Sequence, residues 1–169
     1  MARNVEIKAR LIDRTELTRR AAALADAGPF ELTQDDTFFR CETGRLKLRV
    51  LSPGEAELIF YRRSDIAGPK ESFYDLAPVD DADALRRVLD LACGTVGRVC
   101  KQRTLYLVGA TRVHLDRVEG LGDFVELEVV LTDHQSTEQG QQIAHALMAE
   151  LGIQPTELLS GAYLDLLQA

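Results

Sequence analysis

A five-residue stretch near the middle of the chain carries three cations at a spacing that could bind a polyanion. Residues 45–49 read RLKLR, so Arg45, Lys47 and Arg49 alternate with Leu46 and Leu48. Side chains alternate between the two faces of a β-strand, so the cations would form a row on one face and the leucines a row on the other. For one isolated strand, the usual arrangement buries the leucines and leaves the cations in water.

The same alternation of charged and apolar side chains recurs along the chain. The charged faces comprise Glu6 and Lys8; Glu57, Tyr61 and Arg63; Lys101 and Arg103; Arg112, His114 and Asp116; and Glu126 and Glu128. The opposite faces are largely apolar, as in Val113 with Leu115 and Val125 with Leu127. Each strand therefore has one face for a core and one face for water or a polar ligand.

About eight strands and a few helices are predicted from these patterns and from the turn residues between them. Strands are predicted at 3–11, 30–41, 44–51, 57–63, 71–76, 96–108, 111–118 and 124–132. Helices are predicted from Asp13, with Glu16 in the capping-box position, to Gly28; from Asp80 or Asp81 to Gly94; and over 136–151 and 155–167. This composition predicts an α+β fold, an eight-stranded antiparallel closed β-barrel with helices packed outside.

The helices indicate which face of the barrel is apolar. The segments LTRRAAALADA, ALRRVLDLAC and QIAHALMAEL each have an apolar stripe that must be buried. Helices can cover only the outside of a closed barrel, so the outer face would be apolar and the charges would line the interior. Because unpaired buried ions are costly, such an interior must hold water, metal and a polyanion. The alternative is a barrel filled with aliphatic side chains and charged outside.

Composition narrows the class of protein further. The 169 residues suffice for one domain, and 20 basic against 27 acidic residues give a formal net charge of −7, which argues against a protein that coats nucleic acid. Three cysteines without a CxxC pair favour a cytoplasmic setting over a disulfide framework or a zinc knot. The N-terminus is charged and no apolar run reaches the length of a membrane span, so neither secretion nor membrane anchoring is expected.

Taken in order, these segments resemble the CYTH superfamily, also called the triphosphate tunnel metalloenzymes, over nearly the whole chain. The resemblance rests on NVEIK at 4–8, QDDTFF at 34–39, GRLKLR at 44–49, LIFYRR at 58–63, VCKQR at 99–103, HLDRVEGLGDFVELE at 114–128 and YLDLL at 163–167. It implies a single CYTH domain over 1–169, whose antiparallel strands form a tunnel that binds triphosphate and divalent metal. It also implies that the cations of RLKLR point inward.

The resemblance implies a role for each charged position. The implied metal ligands are Asn4, Glu6, Asp116, Glu126 and Glu128, with Mg²⁺ or Mn²⁺ as the cofactor. The implied phosphate-binding residues are Lys8, Arg45, Lys47, Arg49, Arg63, Lys101, Arg103 and Arg112. The residues expected to be catalytic are Lys8, Arg63 and Asp116. The first glutamate of the family's ExExK strand is Asn4 here, which keeps an oxygen ligand and removes a negative charge.

The implied activity is that of an enzyme similar to the class IV adenylyl cyclases, which convert ATP to cyclic AMP and pyrophosphate. A hydrolase of tripolyphosphate, nucleoside triphosphate or thiamine triphosphate is the first alternative. The thiamine version is disfavoured, because such relatives stack thiamine on a tryptophan and this chain has none. A non-catalytic binder of polyphosphate or nucleotide is the second alternative. The expected partner is ATP or tripolyphosphate, without nucleic acid or membrane, and a homodimer is open because some relatives are dimers.

Overall fold

The computed structural model describes residues 2–51 and 54–169, which form eight β-strands and four α-helices. The strands are β1 (Ala2–Arg10), β2 (Ala27–Phe39), β3 (Arg45–Leu51), β4 (Glu55–Arg63), β5 (Lys70–Pro78), β6 (Thr95–Val108), β7 (Thr111–Val118) and β8 (Gly122–Val130). The helices are α1 (Arg14–Leu24), α2 (Ala82–Cys93), α3 (Thr137–Leu151) and α4 (Tyr163–Leu167).

The strands close into one barrel in the order β1-β5-β4-β3-β2-β6-β7-β8, and β8 pairs back to β1. Every neighbouring pair is antiparallel. Closure pairs each strand on both sides, so the barrel has no free edge. The predicted α+β fold, an eight-stranded closed antiparallel barrel with helices, is confirmed.

The apolar face of the barrel points outward, toward the helices. Val113, Leu115 and Leu127 are fully buried there, in a core that includes Leu17 of α1 and Leu147 of α3. Each such side chain contributes about 1.5–3 kcal/mol relative to an exposed one. Helix α2 packs against β2 and β3 on another part of the barrel surface. This arrangement reserves the interior for the charged face of each strand.

Side-chain caps begin the three longer helices. Oδ1 of Asp13 accepts a hydrogen bond from the backbone N–H of Glu16 at 3.0 Å, and Oδ1 of Asp81 accepts one from Ala84 at 2.9 Å. Ser136 and Gln139 form a reciprocal capping box at α3. The predicted end of α1 at Gly28 is wrong, because the helix ends at Leu24 and Gly28 already belongs to β2. Pairing of β2 with β6 from Ala27 onward takes these residues out of the helix.

The predicted helix over 155–167 is also largely wrong. A 3₁₀ turn spans Pro155–Glu157, and the chain is then extended until α4 begins at Tyr163. Leu158 bridges to Ala9, and the backbone N–H of Leu159 donates to the carbonyl of Lys8 at 2.8 Å. Pairing with the C-terminal part of β1 therefore outweighs the helical pattern of this segment. It carries the chain across one end of the barrel, and that end is called the closed end below.

Three further sequence predictions concern a turn, the cysteines and membrane-spanning helices. The turn predicted at SPGEA includes residues 52 and 53, which lie outside the described residues. The thiols of Cys41, Cys93 and Cys100 are free. Among the described residues, no helix has the length and apolar character needed to cross a membrane.

We expect Gly140→Val to weaken the fold, because α3 lies closest to the barrel at this residue. A Cβ at position 140 would stand 2.7 Å from side-chain atoms of both Val5 and Leu131. The overpacking should lower the free energy of unfolding by about 1–3 kcal/mol, measured by urea denaturation. Ala149→Val, at an exposed position of the same helix, should cost less than about 1 kcal/mol. Equal losses in the two variants would contradict this close contact.

Candidate active site

The interior of the barrel contains a cavity of about 330 Å³ lined by side chains from all eight strands, with charged side chains from every strand except β5. All but two of the predicted site residues line it: Asn4, Glu6, Lys8, Lys47, Arg49, Arg63, Lys101, Arg103, Arg112, Glu126 and Glu128. Leu48 is fully buried on the opposite face of β3. Lys47 and Arg49 therefore point inward, as the resemblance to the CYTH superfamily implied.

The cavity wall is more basic than acidic. Its described cations are Lys8, Lys47, Arg49, Arg63, Lys101, Arg103 and Arg112, and its described carboxylates are Glu6, Asp36, Glu57, Glu126 and Glu128. This balance of seven cations to five carboxylates is opposite in sign to the net charge of −7 for the whole chain. An anion is therefore attracted to the tunnel by a local field inside an acidic protein.

Asp116 anchors two of these cations without itself lining the cavity. It is fully buried, and its carboxylate accepts hydrogen bonds from Nε of Arg103 at 2.6 Å and Nζ of Lys101 at 3.0 Å. The hydroxyl of Tyr163 donates to the same carboxylate at 2.9 Å. Burial opposes ionisation, but the Arg103 and Lys101 charges outweigh it and hold the pKa of Asp116 well below its usual range. The geometry favours an anchoring role, and the predicted metal-binding and catalytic roles of Asp116 stay predictions.

Asp36 is a second anchor, which sequence reasoning missed. Its carboxylate accepts from Nζ of Lys47 at 2.9 Å and from Nε of Arg49 at 2.8 Å. Burial disfavours its ionised form, yet Lys47 and Arg49 keep its pKa well below the usual range. Burial, assisted by the Arg49 charge, lowers the pKa of Lys47 to about 8. The alternation rule applied to QDDTFF would have placed Gln34, Asp36 and Phe38 on the inward face of β2, where they line the cavity.

Three of the four inward glutamates that the structure describes, Glu6, Glu126 and Glu128, form ion pairs with basic side chains. Glu126 lies 3.1 Å from Nζ of Lys8 and 2.6 Å from Nη2 of Arg103, and Glu6 pairs with Arg63. Burial raises the cost of ionising Glu126, but its cationic neighbours, Lys8 foremost, hold its pKa well below the usual range. Acids and bases of the cavity wall therefore neutralise one another.

Glu128 has a different set of neighbours. Its Oε2 lies 3.0 Å from Nε of Arg112 and 3.2 Å from Nε2 of His114. Burial works against its ionisation, but the charges of Arg112 and Arg103 favour the ionised form and its pKa lies well below the usual range. Burial and the charge of Arg103 lower the pKa of His114, so the imidazole is neutral at pH 7.

The donor chemistry near the start of β1 fits a hard divalent ion. Glu6 and Glu128 are directly opposite each other in the β1–β8 register, an arrangement that is repulsive without a cation. Oδ1 of Asn4, one inward position away, is buried without a hydrogen-bond partner. Among the described residues no three acidic, histidine or cysteine side chains form a preassembled metal cluster. Mg²⁺ commonly binds through one or two carboxylates, waters and substrate phosphates, so a protein cage is not required.

Tyr163 forms part of the cavity wall at the closed end and was not identified from the sequence. Its ring lies 3.9 Å from Nζ of Lys8 and 4.8 Å from Nζ of Lys101, measured to the ring centroid. Burial is the main factor that lowers the pKa of Lys8. The aromatic face and the Tyr163 hydroxyl therefore position two lysines and Asp116 together. Only the extended path of 158–162 brings this residue inside, and no periodicity in the sequence signals that path.

Arg45 does not line the cavity. Its guanidinium forms an ion pair with Asp165 at 2.8 Å and lies 3.6 Å from Asp65. Asp165 belongs to α4, so Arg45 holds this helix against the barrel. Its predicted phosphate-binding role stays a prediction.

The end of the barrel opposite the closed end is largely apolar, although Glu57 of β4 also lines the cavity there. β2 begins there, and β3, β5 and β6 end there, since neighbouring strands are antiparallel. The inward side chains at these strand ends are Leu32, Leu51, Leu76 and Leu105, which are called the leucine rim below. Leu76 is 48% exposed. The tunnel thus has a charged middle and an apolar rim.

The family assignment follows from comparison with known proteins. Residues 2–163 match the model of the CYTH domain. This chain belongs to the CYTH family. Its tunnel interior, with cations and carboxylates on inward strand faces, is the feature that the sequence resemblance implied.

Relatives of this CYTH chain include cyclases and proteins of the same fold. It is 29% identical over 168 residues to adenylate cyclase CyaB of Aeromonas hydrophila, covering 94% of this chain and 85% of that protein. A Pyrococcus horikoshii protein structure superposes with a TM-score of 0.85 at 23% identity, covering 96% and 98% of the two chains. A putative adenylyl cyclase from Hippeastrum, described as having dominant triphosphatase activity, gives 0.62 at 19% identity, covering 94% and 91%. These structural matches support the fold.

We expect Asp116→Asn to lower the free energy of unfolding by about 3–5 kcal/mol at pH 7, because Arg103 and Lys101 lose a buried counter-charge. A carboxyl with a depressed folded-state pKa contributes stability above its unfolded pKa of about 3.9 and loses it as the pH falls through the folded-state value. The difference from the wild type should therefore shrink below about pH 4. Urea unfolding at several pH values measures both effects.

The matched control for this variant is Asp123→Asn. Asp123 forms partly exposed ion pairs with Arg117 at 2.9 Å and Arg14 at 3.4 Å. Its loss should change stability by less than about 1 kcal/mol. A loss at Asp116 no greater than that at Asp123 would show that Asp116 does not anchor the buried cations.

Proposed function

We propose that this chain is a divalent-metal-dependent enzyme that acts on a triphosphate inside the cationic tunnel. The observation that carries the proposal is the set of inward cations held in place by Asp116 and Asp36. Such cations are positioned before a ligand arrives, so little side-chain ordering is needed when phosphate oxygens bind. Arginines offer paired N–H groups to these oxygens, and lysines offer a point charge.

Ligand binding would proceed by exchange of ionic partners. Lys8 and Arg63, now paired with Glu126 and Glu6, can turn to phosphate oxygens. The released carboxylates then face the ion that accompanies the triphosphate. A bound Mg²⁺ or Mn²⁺ would supply neutralisation of phosphate charge and stabilisation of the leaving oxygen. During this exchange Arg103 would remain paired with Asp116 and would bind the phosphate group nearest to it.

The proposed reaction is the class IV adenylyl cyclase reaction, conversion of ATP to cyclic AMP and pyrophosphate. Its support is the 29% identity to adenylate cyclase CyaB over 94% of this chain. The leucine rim adds support, because an apolar opening suits a nucleoside better than the end of an inorganic chain. Cyclisation requires the ribose 3′-hydroxyl in line with the α-phosphorus, and such positioning can contribute about 7–11 kcal/mol.

Triphosphate hydrolysis is the second candidate. Every charged side chain described in the tunnel suits a phosphate or an ion, and hydrolysis needs only an ordered water in addition. The identity of the nucleophile therefore separates the two reactions, while the phosphate-binding residues are common to both. A non-catalytic binder would use the same cations and yield no product.

A product assay over ATP and tripolyphosphate, with Mg²⁺ and with Mn²⁺, tests the proposal. We expect ATP to give cyclic AMP and pyrophosphate in equal amounts, and 3′-deoxy-ATP to bind without reacting because it lacks the nucleophile. Orthophosphate release without cyclic AMP would contradict the cyclase reaction and support triphosphate hydrolysis. Triphosphate binding without any product, in both the wild type and Asn4→Glu, would contradict an enzymatic activity and support a non-catalytic binding protein.

The leucine rim predicts a difference between organic and inorganic triphosphates. We expect Leu76→Ser to weaken ATP binding by about fivefold, from partial loss of apolar burial, and to leave tripolyphosphate binding unchanged. Titration calorimetry with both ligands measures the two dissociation constants. Leu91→Ser is the control, since Leu91 lies on α2 and is 88% exposed. Equal weakening of both ligands by Leu76→Ser would exclude the leucine rim as a nucleoside contact.

A further inference from the structure

His114 is a buried imidazole in the cavity wall, and phosphate binding by the neighbouring cations does not account for its presence there. Its side chain lines the cavity and the residue is 4% exposed. Neither Nδ1 nor Nε2 makes a hydrogen bond of normal geometry. Unsatisfied buried polar atoms are uncommon and usually indicate a missing ion, water or ligand. A ring nitrogen without a hydrogen-bond partner can donate its lone pair to a metal ion.

The geometry between His114 and Glu128 matches two neighbouring metal ligands. Nε2 of His114 lies 3.2 Å from Oε2 of Glu128. Two donors about 2.1 Å from one ion, in adjacent octahedral positions, are about 3.0 Å apart. Arg112 also lies 3.0 Å from this oxygen, but its side chain is 36% exposed and has room to turn toward a phosphate. An ion can therefore replace Arg112 as the partner of Glu128.

We propose that His114 is a nitrogen ligand of the tunnel's divalent ion, alongside Glu128. The proposal rests on the proposed function, in which an ion binds beside the triphosphate. Imidazole suits transition-metal ions such as Zn²⁺ better than Mg²⁺, which favours oxygen donors. His114 therefore gives this chain a preference for transition-metal ions that an all-oxygen site would not have.

Nitrogen-15 NMR of the imidazole rings tests this ligand directly, with Zn²⁺ alone as the probe. The chain has three histidines, and His134 and His145 are exposed, so H134Q/H145Q leaves His114 as the single imidazole. We expect Zn²⁺ to move the Nε2 signal of His114 away from its free, unprotonated frequency and to saturate at one equivalent. The additional change Glu128→Gln should weaken this response by about tenfold or more.

Calorimetry on the full chain supplies the second measurement. His114→Gln should lower Zn²⁺ affinity by about tenfold or more, with a much smaller effect on Mg²⁺. The H134Q/H145Q protein is the matched control and should retain wild-type affinity for Zn²⁺ in the tunnel. The NMR experiment keeps His114 in place, so it remains decisive even where His114→Gln impairs folding.

Two results would overturn the inference. Zn²⁺ binding seen by calorimetry without movement of the His114 signals would reduce His114 to a structural neighbour of Glu128. Absence of Zn²⁺ binding would contradict the proposed role of His114 as a metal ligand. Neither result bears on the proposed function when the wild type still converts a triphosphate with Mg²⁺, so the two failures are distinguishable.

Discussion

The structure depends on neutralising charges that are buried inside a closed barrel. Removing an ion from water costs several kcal/mol unless an opposite charge and hydrogen bonds replace the solvent. Asp116 meets this requirement for Arg103 and Lys101, and Asp36 meets it for Lys47 and Arg49. These two acids stay paired with cations that face the cavity. They therefore fix the positions from which the cations meet a ligand.

Three of the four remaining inward acids of the described cavity wall form a second, exchangeable set. Glu6, Glu126 and Glu128 are paired with basic side chains of the tunnel. An anion that arrives with a divalent ion offers new partners to both members of each pair, so the exchange leaves few charges uncompensated. The same reasoning explains how an acidic protein binds a polyanion. The attraction comes from the local surplus of cations on the wall, and the overall charge of −7 lies mostly elsewhere.

The apolar core must then lie between the barrel and its helices. Leu115 and Leu127 point outward from the strands and pack with Leu147 and Met148 of α3. One side of each strand thus supplies hydrophobic stability, while the other side remains available for ions. The C-terminal segment completes the arrangement, because its pairing with β1 closes one end and places Tyr163 against Lys8.

The sequence by itself determined the alternation of each strand and the apolar stripes of the helices, and its resemblance to the CYTH superfamily implied the inward direction of Lys47 and Arg49. These features are local, because a side chain's face follows from its parity along a strand. Tertiary structure alone decided which acid neutralises which cation: Asp116 faces Arg103 and Lys101 across β6–β7, and Arg45 turns away to Asp165. It also decided the extended path of 158–162 and the position of His114 beside Glu128. Such pairings join residues far apart in the chain, and their energies depend on burial and distance, which no local pattern contains.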